Sequence, residues 1–415
     1  MSPLLLYRRL FGLVGPAYVV VAFFGRLPMA MIQLGALLLV STETGRYSAG
    51  GLTAGAVAVA NAVGAPIAGM MTDRVGQRPV VLIQSLAASA GLATLVVLAT
   101  SGAELGVVVV VAGFTGLCMP QVGPLARVRW PHIARGTGAG QVKLVDAAFA
   151  YEGAADEASF VLGPALVGAV AAIVHPGGAL IVASALLAVF GSWFAIHPTA
   201  PPARPWLAGR SKGRRLITPE LVVLAAAQLL IGMVFGATQT GTTVLATEQG
   251  NPGHAGLVHA LLAVGSVVAG LSVASLPARF GYERRLLAFA AGLSVFAVPL
   301  VFVNSLAGLI PIVLVLGLAI APYMISVAML ARQLMPLSQA GMAMTLLAGA
   351  TGIGYALGSG TAGRLADVSG HRAAFAVTLT ACATAFALAL LARRWLAAAL
   401  AGAERRLIDR DESTP

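Results

Sequence analysis

Twelve apolar runs, each near the length of about 20 residues that a helix needs to cross a bilayer core of roughly 30 Å, constrain this chain more than any other feature. They fall at 11–40, 49–71, 79–100, 104–126, 146–174 and 179–196, and then at 219–245, 255–275, 286–303, 306–334, 340–363 and 373–391. Lipid offers no partner for a backbone amide, so each run is expected to be a helix and the chain an all-α membrane protein. With 10% charged residues and a mean hydropathy of +0.90, against roughly 25% charged residues in a soluble domain, a water-soluble globule is excluded. The first run follows Arg8 and Arg9 as a signal peptide would, but its reach from 11 to 40 exceeds an apolar region of about 7–15 residues. It reads as a retained first helix.

Between the sixth and seventh runs, Pro198, Pro201, Pro202 and Pro205 alternate with Arg204, Arg210, Lys212, Arg214 and Arg215. Such a stretch neither spans nor packs. The expected organisation is a six-helix bundle at 1–197, a basic, Pro-rich cytoplasmic linker at 198–217, a second six-helix bundle at 218–395 and a cytoplasmic tail at 396–415. Thr218, Pro219 and Glu220 form a helix start, with a side-chain cap, a proline in the first turn and an acid on the dipole.

A net charge of +11 would suit nucleic acid only if the basic residues lay among aromatics on a polar surface. They lie instead in the gaps between apolar runs. With the N-terminus in the cytoplasm, all but four of the 26 Lys and Arg fall on the cytoplasmic side; Arg46, Arg364 and Arg372 lie opposite, and Arg26 lies within a span. The bias predicts both termini inside a multi-pass protein of the cytoplasmic (inner) membrane, with no nucleic-acid partner. The acidic residues at 409–412 read as a solvated end. Cys118 and Cys382 sit in separate apolar runs as packing residues. His254 and His259 lack a carboxylate cluster, so no metal is expected. No phosphate-cradling loop and no nucleophile elbow occurs, so neither a cofactor nor enzymatic activity is expected.

The loop after the second run reads Gly69-Met-Met-Thr-Asp73-Arg74-Val-Gly76-Gln-Arg78-Pro79. Taken alone, Gly69 permits close helix approach, Asp73 ends a span with an anion, Gly76 allows a tight reversal, and Arg74 and Arg78 hold the loop inside. The stretch resembles the G-x-L-x-D-R-x-G-R-K/R-P signature of the major facilitator superfamily, with Met71 and Gln77 departing from it. The resemblance implies two pseudo-symmetric six-helix bundles in a monomer, working as a secondary transporter by alternating access. It also implies that the loop latches the halves, with Asp73 near the start of helix eleven at 338–339. Residues 363–372 look like a second copy, placed by the helix count on the opposite face. The pseudo-equivalent loop at 274–285 is degenerate, Ala278 standing for the acid.

Helix five carries Ser159, Gly163, Pro164, Val167 and Gly168, similar to the G-x-x-x-G-P-x-x-G-G motif of the superfamily's antiporter branch. That similarity implies efflux, while the proline itself bends a helix and the glycines admit a close partner. The Arg-Gln-Gly element that drug exporters carry in helix four is absent from the expected span.

Arg26, central in the first run, costs about 2.5–3.5 kcal/mol unless an anion or a cavity receives it. Helix five offers Glu152, Asp156 and Glu157. Glu152 and Asp156 are four apart and share a face, Glu157 points elsewhere, and Asp156 lies about 15 Å deep. Arg26 with Asp156 is the expected coupling element, leaving another carboxylate to take a proton; a purely structural ion pair is the alternative. In the superfamily helices one, four, seven and ten line the cavity, which nominates Gln33, Gln121, Gln228, Gln239 and Tyr323 as substrate contacts. Thr238, Thr242 and Thr243 are expected to bond back along their own helix. Such a lining suits a moderately hydrophobic neutral or anionic molecule. The expected function is proton-coupled efflux of that small-molecule substrate, with protons and the lipid bilayer as partners. An importer or uniporter of a sugar or metabolite, or a non-transporting sensor, is the alternative.

Overall fold

The computed structural model describes residues 3–135, 137, 141–201, 218–273, 280–335 and 340–412, without the side chains of 3–7, 73, 142, 143, 146, 150, 157, 271–273, 340–342 and 403–412. Among the described residues the fold is all-α. Helix one is Pro3–Thr44, helix two Tyr47–Val75 and helix three Gln77–Thr100. Helix four comes in two segments, Leu105–Leu117 and Val122–Ile133, and helix five is Gln141–Ile173. Helix six runs from Pro176–Leu186 through a π turn at Leu187–Gly191 to Ser192–Ile196. Helices seven, eight, nine and ten are Pro219–Glu248, His254–Val273, Tyr282–Ala297 and Leu306–Leu334.

Residues Ala340–Glu412 form one continuous helical stretch except at Gly370 (φ 70°, ψ −165°), a left-handed φ that glycine adopts without strain. That residue separates helix eleven from helix twelve. Ten described helices are long and apolar enough to cross a membrane. One of them is the pair joined at Gly370, and the shorter apolar helix His254–Gly270 completes the twelve runs of the sequence. Val110 at 70% exposure and Leu391 at 82% present apolar surface where lipid would lie.

The helix starts follow local rules. The Thr218 hydroxyl accepts from the Leu221 amide at 3.3 Å with Pro219 in the first turn, and Ser305 accepts from Gly308 at 3.1 Å. Helix twelve differs from the sequence boundary, because helical backbone continues through 396–412, where a tail was expected. Most of the linker, from 202 on, lies outside the described residues, as do 338–339 and the side chain of Asp73.

Chain contacts divide the protein into two compact units: Met1–Gly45 with Ala56–Ala208 and Asn251–Ala260, and Arg46–Gly55 with Gly209–Gly250 and Leu261–Pro415. The expected bundles thus exchange short pieces, the start of helix two and the start of helix eight. Close backbone packing is the cause. A Cβ on Gly253 would lie 2.5 Å from that of Ala172 on helix five, and one on Gly55 would lie 3.0 Å from that of Ala356 on helix eleven. Within the units, helix two crosses helix four at Gly64 and Gly116, as helix eight crosses helix ten at Gly265 and Gly317. The same pairing therefore recurs in both repeats.

Candidate functional site

Arg26 is 4% exposed and makes four contacts. Its Nε donates to the Ala22 carbonyl at 3.0 Å, one terminal nitrogen donates to the Glu152 carbonyl at 3.3 Å and pairs with Asp156 Oδ1 at 3.0 Å, and the other pairs closely with Glu152 Oε2. Glu152 is wholly buried, and its second oxygen accepts from Trp130 Nε1 at 2.7 Å. Asp156 Oδ2 meets Arg127 at 2.6 Å. Two guanidiniums thus face two carboxylates. The expectation that Arg26 takes one carboxylate and leaves the other open is corrected, because both bind it and Asp156 also binds Arg127. The Glu157 side chain lies outside the described residues.

Sequence reasoning missed Arg127 and Trp130 because it ended helix four at 126. The helix instead breaks at 118–121 and restarts, so that Arg127, Arg129 and Trp130 ride on the segment Val122–Ile133. The break is satisfied locally: Asn61 Nδ2 donates to the Gly116 carbonyl at 3.3 Å and Gln121 Nε2 to the Met119 carbonyl at 3.3 Å. Irregular backbone at membrane depth requires such partners. Pro120 beside Gln121 was the available signal, since a proline interrupts helical hydrogen bonding. Gly123 clears the space for Asp156, whose Oδ1 would lie 2.5 Å from a Cβ at that position.

The same segment reaches the loop between helices two and three. Arg129 has no exposure; its Nε donates to Gln77 Oε1 at 2.9 Å, its terminal nitrogens to Thr199 Oγ1 at 3.1 Å and the Phe194 carbonyl at 2.9 Å, and it lies 3.6 Å over the Phe194 ring. Gln77 stands where the resembled signature has a basic residue, and a cation there would face a buried cation. Gln77→Arg is therefore expected to cost about 1.5–3 kcal/mol, the worth of a hydrogen bond to a charged group, in a denaturant-unfolding measurement. An unchanged midpoint would remove Arg129 as the reason for the departure. His197 also packs here; burial first, and then the Arg129 charge, hold its imidazole below the usual histidine value.

Gly76 adopts φ 94°, as a tight reversal requires, while Arg74 and Arg78 are exposed. At Gly69, expected to permit a close helix approach, a Cβ would meet no described residue within 4 Å. On helix five, Gly163 lies against Ala30 of helix one, with 3.0 Å from a Cβ to the Ala30 carbonyl carbon. Gly168 lies against helix eight, where a Cβ on it would come 2.9 Å from the Leu257 amide, and a Cβ on Gly256 of that helix would collide with the Pro164 carbonyl. The close partners expected of this motif are helices one and eight.

The expected substrate contacts separate into three groups. Gln33 and Gln121 are half-buried. Tyr323 has no exposure and donates to the Ala227 carbonyl at 3.0 Å, and Gln239 accepts from the Tyr355 hydroxyl, so these two tie helix seven to helices ten and eleven rather than line open space. Gln228, 8% exposed, keeps a buried Oε1 with no hydrogen-bond partner among the described residues. Tyr355 carried no sequence signal beyond its place in an apolar run. Thr242 and Thr243 donate back one turn at 2.8 and 2.9 Å as expected, whereas Thr238 meets Thr378 of helix twelve at 3.3 Å. Among the described residues no group of three potential metal ligands occurs.

Similar proteins place this arrangement. Solved structures of the same fold include a point mutant of the nucleoside transporter NupG, with a TM-score of 0.72 at 14% identity over 92% of this chain and 99% of that one. A POT family transporter in complex with a thioalcohol-conjugated peptide gives 0.66 at 13% identity, over 92% and 95%. A POT family transporter in complex with 5-aminolevulinic acid gives 0.67 at 11% identity, over 94% and 96%. No curated protein matches the sequence significantly. The family model of the Major Facilitator Superfamily matches residues 17–348 and 224–406. With that match spanning nearly the whole chain and the twelve-helix fold agreeing, the protein belongs to the Major Facilitator Superfamily of secondary transporters.

Proposed function

We propose that the protein exports a moderately hydrophobic, uncharged organic molecule in exchange for protons, and that Asp156 is the group that takes the proton. The observation that carries this reading is that Asp156 bridges Arg26 and Arg127 while remaining 24% exposed. Ionised, the cluster holds two positive and two negative charges. A proton on Asp156 would leave one guanidinium uncompensated, so protonation favours separating Arg127 or Arg26 from it. Because Arg127 rides on the inner segment of helix four, that separation moves a helix that also holds the helix two–three loop. Glu152, buried and bonded to both Arg26 and Trp130, serves as the fixed anchor.

The substrate class follows from what the lining leaves open. Arg26 is saturated by carboxylates, which removes the partner an anionic substrate would need. Gln228 presents a buried acceptor that no described residue donates to, which suits a neutral molecule carrying an N–H or O–H. The folds that resemble this one serve a nucleoside in one case and are complexed with a peptide conjugate or 5-aminolevulinic acid in others. A family-level fold therefore permits several substrates, and the local chemistry selects. Export is favoured by the helix-five motif.

Proteoliposomes with an imposed pH gradient, screened with hydrophobic drugs, sugars and organic acids, test the reading. A neutral drug-like compound should collapse the gradient, and Asp156→Asn should lower that rate about a hundredfold, within the range for loss of a proton-transferring group. Substrate flux without collapse, or full coupling in Asp156→Asn, would overturn the proton role.

A further inference from the structure

The second copy of the loop signature, at 363–372, has its own partners. Both carboxylate oxygens of Asp367 accept from the first turn of helix two, at 2.7 Å from the Tyr47 amide and 3.1 Å from the Ser48 amide. These are amides that a helix start leaves without internal partners. Three residues further on, Gly370 turns the chain, and His371 begins helix twelve in contact with two acceptors. Its Nε2 lies 3.0 Å from the Val303 carbonyl, and its Nδ1 pairs closely with Glu248 Oε2 at the end of helix seven. Glu248 Oε1 also accepts from the His371 amide at 3.2 Å, and Arg372 holds Asn304 Oδ1 at 2.8 and 3.2 Å. All of these residues belong to one compact unit.

A carbonyl oxygen can only accept, so Nε2 must carry a hydrogen. The variable proton is then the one between Nδ1 and Glu248. With it, the pair is held by a charge-assisted hydrogen bond; without it, a ring lone pair faces a carboxylate and the attraction turns to repulsion. Among the described residues of this unit, the other titratable or charged groups near the pair include Asp367, committed to helix two; Tyr47, whose hydroxyl is influenced by both Glu248 and Asp367; Arg372, committed to Asn304; Arg364; and Arg46 just before helix two. The segment after helix nine contributes only the Val303 carbonyl and the uncharged Asn304. Glu248 is 39% and His371 13% exposed, so the pair can exchange protons with the aqueous phase.

We propose that Glu248 and His371 form a proton-binding site on the face away from the basic loops, and that the bound proton clasps the 367–372 segment so that Asp367 holds the start of helix two. Raising the pH releases the clasp. The site is separate from Asp156 and does not rest on a coupling role there.

Hydrogen–deuterium exchange of the full chain in lipid nanodiscs, from pH 5.5 to 8.5 and corrected for intrinsic base catalysis, tests it. Protection at the amides of Tyr47, Ser48 and His371 should fall at least about tenfold across that range, as expected for losing one hydrogen bond to a charged group. Helix three should show no such change. His371→Gln and Glu248→Gln should each make protection independent of pH, and Asp367→Asn should weaken protection at 47 and 48 while leaving the pH response at 371. Flat protection in the parent protein, or an unaltered pH response in both His371→Gln and Glu248→Gln, would overturn the proposal.

Discussion

Replacing Arg26 with Met should lower the stability of the bundle by about 3–5 kcal/mol, the cost of leaving a buried charge without its partner. Glu152 is the reason. It has no exposure, and after the substitution its only described side-chain partner is the Trp130 indole, which cannot balance an anion. Asp156 suffers less, because Arg127 at 2.6 Å still compensates it and a quarter of its surface reaches solvent. The double variant Arg26→Met with Glu152→Gln separates the charge penalty from mere loss of packing. Its amide oxygen can still accept from Trp130, no net charge stays buried, and most of the loss should be recovered. Denaturant unfolding in mixed micelles measures both. A single variant within about 0.5 kcal/mol of the parent, the ordinary effect of a surface change, would mean that water reaches the cluster.

Gly354→Ala should cost about 1–3 kcal/mol, through overpacking of a tight contact. The helix seven–eleven interface is built from backbone against backbone: a Cβ at Gly354 would lie 3.0 Å from the Leu229 Cα and collide with its carbonyl oxygen, and a Cβ at Gly232 would lie 2.9 Å from the Tyr355 amide. Neither neighbour can turn aside as a flexible side chain would. Gly360 lies on the same helix with no described residue within 4 Å of a Cβ. Gly360→Ala should therefore be neutral or stabilising by up to about 1 kcal/mol through helix propensity. Opposite signs at two glycines of one helix would be read from the same unfolding series. Equal effects would show that propensity rather than contact governs the helix.

The glycine interfaces also account for where the compact units depart from the simple halves of the chain. Hydropathy marks where a run begins and ends, but small residues at 51, 55, 168, 253 and 256 do not announce which helix they meet. Arg129 shows the same limit at a single residue. In the sequence it is one more cytoplasmic charge, whereas in the structure it has no exposure and is bound by Gln77, Thr199 and Phe194.

By itself the sequence determined the helical class, the twelve apolar runs, the superfamily and the need of Arg26 for a helix-five anion. Each follows from a rule that acts locally or along one helix: the length of a span, the satisfaction of backbone amides, a contiguous loop motif, and the cost of a charge in lipid. Only the tertiary structure decided that Glu152 and Asp156 share Arg26, that Arg127 and Trp130 join them, that Tyr323 and Gln239 tie helices together, and that Asp367 serves helix two. Those facts depend on contacts between residues 22 to 320 positions apart. They depend too on a break at 118–121 that redirects one helix by local hydrogen bonds, and neither hydropathy nor spacing carries that information.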